Sequence, residues 1–223
     1  FSVGRAAFAA LDAAVRASFD GPRSIHLAES PDELEFLVTG GGAWRDLLEQ
    51  VGRWDPAWVP PACGPVEYLD RLGWLRPGLV AVHGVQLTDP ELAMLADRDV
   101  TLVTCPRSNA WTGIGHPPID RFIHSGVRLA LGTDSLASVP DLNLFAELEL
   151  MRRLAPSVPA RRLLACATLH GAEALGFASE FGEIAPGRSD ALIAVDVPGG
   201  VRDVEEYLLG GITPDQVTWL AGL

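Results

Sequence analysis

Ser24-Ile25-His26-Leu27-Ala28-Glu29-Ser30-Pro31 opens as a short apolar run, passes an imidazole and a carboxylate three residues apart, and ends on a helix-start signal. Ser30 is a capping type and Pro31 loses no hydrogen bond at a first helical position. The reading is strand, loop, helix, with two reactive side chains where the strand gives out. Three more apolar runs follow, Leu79 to His83, Thr101 to Thr104 and Val127 to Leu131. Each is brief and rich in Val or Leu, as a parallel strand covered on both faces should be. With Ser24 to Ala28 they make four predicted strands. Segments of helical period separate or follow them at Pro31 to Val38, Asp89 to Arg98, Pro118 to Ser125 and Asp141 to Leu154, then as a pair across Pro159 to Leu175. Asp89-Pro90 reads as a second helix start. Alternation of this kind is α/β, built on βα repeats and a parallel sheet.

Three of the four strand ends carry groups suited to chemistry: His26 with Glu29, His83 in Val82-His83-Gly84-Val85, and Asp134 in Leu131-Gly132-Thr133-Asp134-Ser135. The remaining strand runs into Thr104-Cys105-Pro106-Arg107-Ser108-Asn109. Loops at the C-terminal ends of parallel strands form the active face of such folds. Ser108 and Asn109 are therefore expected to hydrogen-bond a ligand from the same rim, as is Ser135. Imidazole and carboxylate together suit a divalent metal that lowers the pKa of water, zinc first and iron as the alternative. Any one of these signals is weak. Their recurrence at successive strand ends in one register is what points to a site. His116, His124 and His170 are assigned to a loop and to helix ends, where an imidazolium complements the helix dipole.

The rest of the chain sets bounds. Its 223 residues, 48% hydrophobic and 21% charged, are enough for a sizeable core. A net charge of -12 without a basic run argues against nucleic acid. No apolar run reaches the roughly 20 residues of a membrane span. Cys63, Cys105 and Cys166 are too few and too dispersed for a disulfide framework, which fits a reducing compartment such as the cytoplasm. Phe1-Ser2-Val3-Gly4 leads straight into the amphipathic Arg5 to Val15 and lacks the layout of a signal peptide. The stretch 39–77, with Trp44, Trp54 and Trp58, reads as an insertion. Its tryptophans either wall a substrate pocket or, more simply, pack the insertion onto the body. Beyond Gly176 the helices are expected to stop, leaving a turn and a strand in Gly182 to Asp196.

The ordered set His26-Leu27-Ala28-Glu29-Ser30, His83-Gly84-Val85, Cys105-Pro106-Arg107-Ser108-Asn109 and Leu131-Gly132-Thr133-Asp134-Ser135, followed by Gly182 to Asp196, resembles the amidohydrolase superfamily. The resembled branch holds cytosine, guanine, adenosylhomocysteine and aminofutalosine deaminases together with triazine chlorohydrolases. The resemblance implies that residues 1–178 are strands five to eight of a TIM (β/α)8 barrel, with 179–223 a segment of a small β-sandwich. It makes His26 and Asp134 ligands of one divalent metal, Glu29 the proton shuttle, and His83 the group that orients the attacked substrate. The implied reaction is deamination of an aminated heterocycle or nucleoside-like small molecule by a metal-activated water, with aminofutalosine- or adenosine-like substrates favoured. Hydrolysis of another C–N or a C–Cl bond is the alternative, and an inactive scaffold the non-enzymatic one. A homodimer is also implied.

One departure is plain. The family's first-strand His-x-His, which supplies two further ligands, occurs nowhere in this sequence. A full barrel takes about 250 residues, so the expectation is a truncated chain, inactive unless another segment completes the site.

Overall fold

The computed structural model describes residues 3–18 and 21–220; Phe1, Ser2 and the last three residues of the tail lie outside them. Helix α1 (Arg5–Ser18) precedes β1 (Arg23–Leu27), α2 (Pro31–Thr39), α3 (Ala43–Gln50), α4 (Pro65–Arg71) and β2 (Leu79–His83). Then come α5 (Asp89–Asp97), β3 (Thr101–Thr104), α6 (Pro106–Thr112), α7 (Ile119–His124), β4 (Arg128–Leu131), α8 (Leu144–Leu154), α9 (Ala160–Ala167) and α10 (Leu169–Ala174). The four strands pair in parallel in the order β1-β2-β3-β4. Each crosses to its neighbour through helical chain, as parallel pairing requires.

One face of the sheet and the helices share the main core, in which Leu79, Leu102, Phe122, Leu129, Met151 and Leu163 are almost fully buried. The opposite face carries Val80, Val82, Val103 and Ala130 around Ala174. Register pairs His26 with Val82, so His26 stands on this second face at the end of its strand.

Helix α2 starts as its residues dictate. Ser30 accepts from the Glu33 N–H, Pro31 is the first helical residue, and Gly40 ends the helix at φ 75°. Substituting Ser30 by Ala should cost about 1 kcal/mol, seen as a lower urea midpoint at unchanged m-value. The start of α5 differs from expectation: Thr88, not Asp89, is the cap. Glu91 accepts from both the Thr88 N–H, at 2.9 Å, and its hydroxyl, at 2.7 Å. Helix α8 begins at Leu144 rather than near Asp141, because the Asn143 side chain takes the Phe145 N–H and ends the preceding turn.

The stretch 39–77 is not a bare loop, since it contains α3 and α4. Trp58 stacks on Phe36 of α2 at 4.7 Å, Trp54 meets both rings edge-on, and Arg45 lies over Trp54. These contacts bind the segment to α2, which is the packing role. Phe8 of α1 sits 5.0 Å edge-on from Trp74, and Asp12 pairs with Arg76.

The sequence places His170 at a helix end. It lies instead inside α10, its Nδ1 2.8 Å from the Leu129 carbonyl, and ties α10 to β4. Nor do helices stop at Gly176. Strand β5 (Ile193–Val195) is followed by α11 (Val204–Leu208), a 3-10 turn at Pro214–Gln216, and β6 (Val217–Trp219), antiparallel to β5. Arg152 of α8 pairs with Glu206 of α11 and holds this segment to the body. Among the described residues no helix is long and apolar enough to cross a membrane.

Candidate active site

The strands do not simply end. Ala28, His83 and Asp134, one beyond β1, one closing β2 and one beyond β4, all adopt positive φ, at 50°, 77° and 63°. Non-glycine residues held there cost on the order of 1–3 kcal/mol each and persist only when neighbours enforce the turn. The neighbours are visible here. At the first turn both carboxylate oxygens of buried Glu33 accept backbone N–H groups, Ala28 at 3.0 Å and Glu29 at 2.8 Å. At the second, Gly84 follows His83 at φ 65°, and a Cβ there would come within 2.8 Å of Leu87 and Leu102. Only glycine fits.

These turns bring four side chains together. His26 Nδ1 lies 3.3 Å from Glu29 Oε2 and 3.3 Å from His83 Nε2. His83 Nε2 is 3.7 Å from Glu29 Oε1 and 4.0 Å from Asp134 Oδ2. Exposure is graded: the His26 side chain is 52% exposed, Glu29 22%, Asp134 21% and His83 0%. One donor atom from each of His26, His83 and Asp134 falls within 4.8 Å of the others. Two imidazoles and a carboxylate at that spacing match the ligand chemistry of zinc and related divalent ions.

Charge follows geometry. The hydrogen bond that His26 donates to Glu29, with the charges of Glu29, Asp134 and Glu33, raises the His26 pKa against its partial burial. The same bond to His26 lowers Glu29 below the usual carboxylate range. Burial lowers His83. Asp134 feels burial as a raising effect, but the Ser108 and Ser138 hydroxyls and the His83 charge outweigh it and keep the group ionised.

Ser108 and Asn109 are not at the rim. Both are fully buried in the first turn of α6 and face the site residues from behind. The Ser108 hydroxyl donates to Asp134 Oδ2 at 2.7 Å, and Asn109 Nδ2 stands 3.0 Å from His83 Nδ1. Ser135 is exposed and its hydroxyl accepts the Ala137 N–H. Three supporting residues escaped the sequence reading. Ser138, four residues beyond Asp134, sits 3.2 Å from its Oδ2. Glu33 is foreshadowed by the S-x-x-E pattern of a capping box, although it reaches past the cap to the turn itself. Glu147 of α8 is buried and accepts the Arg107 N–H at 2.9 Å, which anchors the start of α6.

Burial pushes Glu147 up to about 7, against the opposing hydrogen bond and charge of Arg107. The folded state therefore holds this proton more tightly than the unfolded chain. The stability it contributes is complete below the ordinary carboxylate pKa and is lost as pH rises to about 7. In Glu147→Gln the thermal midpoint should fall less between about pH 5 and pH 7 than in the parent protein. Equal slopes would place the Glu147 proton elsewhere.

Imidazole and carboxylate groups converging at the C-terminal ends of parallel strands β1, β2 and β4 place the cluster on the face where βα folds carry their active sites. Residues 11–216 match the model of the amidohydrolase family, and the chain belongs to that family. It is 38% identical over 170 residues to an aminodeoxyfutalosine deaminase of Deinococcus radiodurans, covering 72% of this chain and 40% of that protein. It is 35% identical over 182 residues to a 5-methylthioadenosine/S-adenosylhomocysteine deaminase of Syntrophobacter fumaroxidans, covering 78% of this chain and 37% of that protein. Among solved structures, a zinc-bound adenosine deaminase from Xanthomonas campestris superposes with a TM-score of 0.79 at 31% identity, covering 97% of this chain and 47% of that one. Atrazine chlorohydrolase from Arthrobacter aurescens superposes at 0.76 with 22% identity, covering 96% and 45%, a likeness of fold. The chain thus spans about two-fifths of the length of the curated relatives it matches.

Proposed function

We propose that this chain supplies one side of the active site of a metal-dependent hydrolase that deaminates an adenosine-like heterocycle. The observation that carries the reading is the convergence of His26, Glu29, His83 and Asp134 on one point. The names of the relatives favour the substrate class: they are deaminases of adenosine-like molecules. In this reading β1 to β4 are the fifth to eighth strands of a TIM barrel over residues 1–178, and 179–223 contributes to a small β-sandwich.

His26 and Asp134 would hold the divalent ion, with His83 alongside. When bound, the ion lowers the pKa of a water at this point. Asp134, kept ionised by the Ser108 and Ser138 hydroxyls, would take up the proton given up by the attacking water. Glu29 carries a proton to the ring nitrogen and then to the departing amine, so that water and the amino compound become the oxo compound and ammonia. His83 steers the attacked group through its ring nitrogen Nε2. Ser108 and Asn109 act through Asp134 and His83, and Ser135 is the member of that set open to substrate.

The test uses the intact protein that carries this chain. Zinc and iron are measured by elemental analysis in the parent and in His26→Ala, and ammonia release from a 5'-substituted adenosine is followed beside chloride release from a chlorotriazine. Near-stoichiometric metal that falls sharply in the variant, with ammonia released, is expected. Metal retained in His26→Ala would overturn the ligand assignment, and chloride without ammonia would favour C–Cl hydrolysis. Bound metal with neither product would leave the scaffold reading.

A further inference from the structure

We propose that the aromatic-walled groove between α2, α4, the start of α1 and residues 53–61 is a second binding site, and that it takes a planar aromatic carboxylate.

The rings that pack this segment onto α2 also border open space. One cavity, of about 490 Å³, has Phe36, Trp54, Trp58, Tyr68 and Arg53 in its lining. A second, of about 440 Å³, has Trp58, Tyr68, Arg5 and Arg71. The two meet at Trp58 and Tyr68. His26, Glu29, His83 and Asp134 line neither. Aromatic walls with a few polar groups are the usual make-up of a small-molecule site.

The walls are set in advance. Trp58 stacks on Phe36 with 8° between the ring planes, and Trp54 stands edge-on to both. A ligand that meets fixed rings loses little of its binding energy to ordering them. Tyr68 is steadied by an edge contact with Phe8 at 6.4 Å, and its hydroxyl has no hydrogen-bond partner among the described residues. Burial raises the Tyr68 pKa against the nearby charge of Arg5, so the phenol remains a donor.

Charge selects the ligand. Acidic residues outnumber basic ones by 29 to 17, so a guanidinium left without a carboxylate is unexpected in this chain. Arg71 is held by Glu67 and the Pro61 carbonyl, Arg76 by Asp12 and Arg98 by Asp70. Arg5 and Arg53 make no ion pair or side-chain hydrogen bond among the described residues, and each lines one of the two cavities. Asp55 also borders the first cavity, but its carboxylate accepts the Ala57 N–H at 2.9 Å and does not pair with Arg53. A flat ring carrying a carboxylate matches this pattern: the ring lies against indole and phenol, and the charge meets a guanidinium.

The intact protein, 15N-labelled on tryptophan, is titrated with naphthalene-2-carboxylate and, separately, with the neutral naphthalene-2-methanol. Indole N–H signals locate the ligand, with those of residues 54 and 58 assigned by their loss in Trp54→Phe and Trp58→Phe, and calorimetry gives each Kd. The carboxylate should move the Trp58 signal and bind about 10-fold more tightly than the alcohol, as a charge-assisted hydrogen bond implies. Combining Arg5→Gln with Arg53→Gln should abolish that preference while bound metal stays unchanged. An unmoved Trp58 signal at millimolar carboxylate, equal affinity for the two probes, or an undiminished preference in the folded double variant would each overturn the proposal. None of these readouts needs turnover, so the groove stands or falls apart from the reaction proposed above.

Discussion

Glu29→Gln in the intact protein should lower kcat about 1,000-fold, within the range typical of a lost general acid–base group, while bound metal stays unchanged. The amide has nearly the volume of the carboxylate but cannot relay a proton. The turn that presents residue 29 is held through its backbone N–H by Glu33, at 2.8 Å, so the substitution leaves the scaffold in place. His26 loses the ionised partner that raises its pKa, which makes its lone pair more available to a metal at neutral pH rather than less. Steady-state kinetics with metal analysis on the same sample separates the effects. A kcat within a few-fold of the parent would remove Glu29 from the proposed chemistry.

Glu33→Ala should destabilise the protein by about 2–6 kcal/mol, because it strips acceptors from two backbone N–H groups, at about 1–3 kcal/mol per buried unsatisfied donor. The truncation also frees the positive-φ turn at Ala28, which Glu33 holds in place. Urea unfolding followed by circular dichroism reads the loss. Since the Ala28 turn aims Glu29, activity should fall at temperatures where the variant is still folded. A loss below about 1 kcal/mol would mean that other groups or water satisfy the turn.

The strands were legible because parallel, doubly covered strands read as continuous apolar runs. Predicted and observed ends of β2 and β3 coincide, and β1 and β4 differ by one residue. The four side chains that meet were legible too, since a polar residue closing an apolar run has few other reasons to be there. What stayed hidden was direction. Cys105-Pro106-Arg107-Ser108-Asn109 turns at once into a helix, and that turn sends Ser108 and Asn109 behind the site instead of across its mouth. Glycine, proline and tryptophan density in 39–77 masked α3 and α4. Helix α11, five residues long, is too short for periodicity to announce.

Every strand of the sheet meets its neighbour in parallel, and this governs how the site comes into being. His26 finds His83 57 positions along the chain, and Ser108 finds Asp134 26 positions on. Such non-local pairings raise contact order and slow folding. During synthesis β1 waits, its partner edge bare, until the chain through β2 has emerged, and the reactive cluster closes only when β4 docks. A change that weakens the crossover helices would then show first in refolding yield, through transiently exposed strand edges that aggregate, before it altered the finished site.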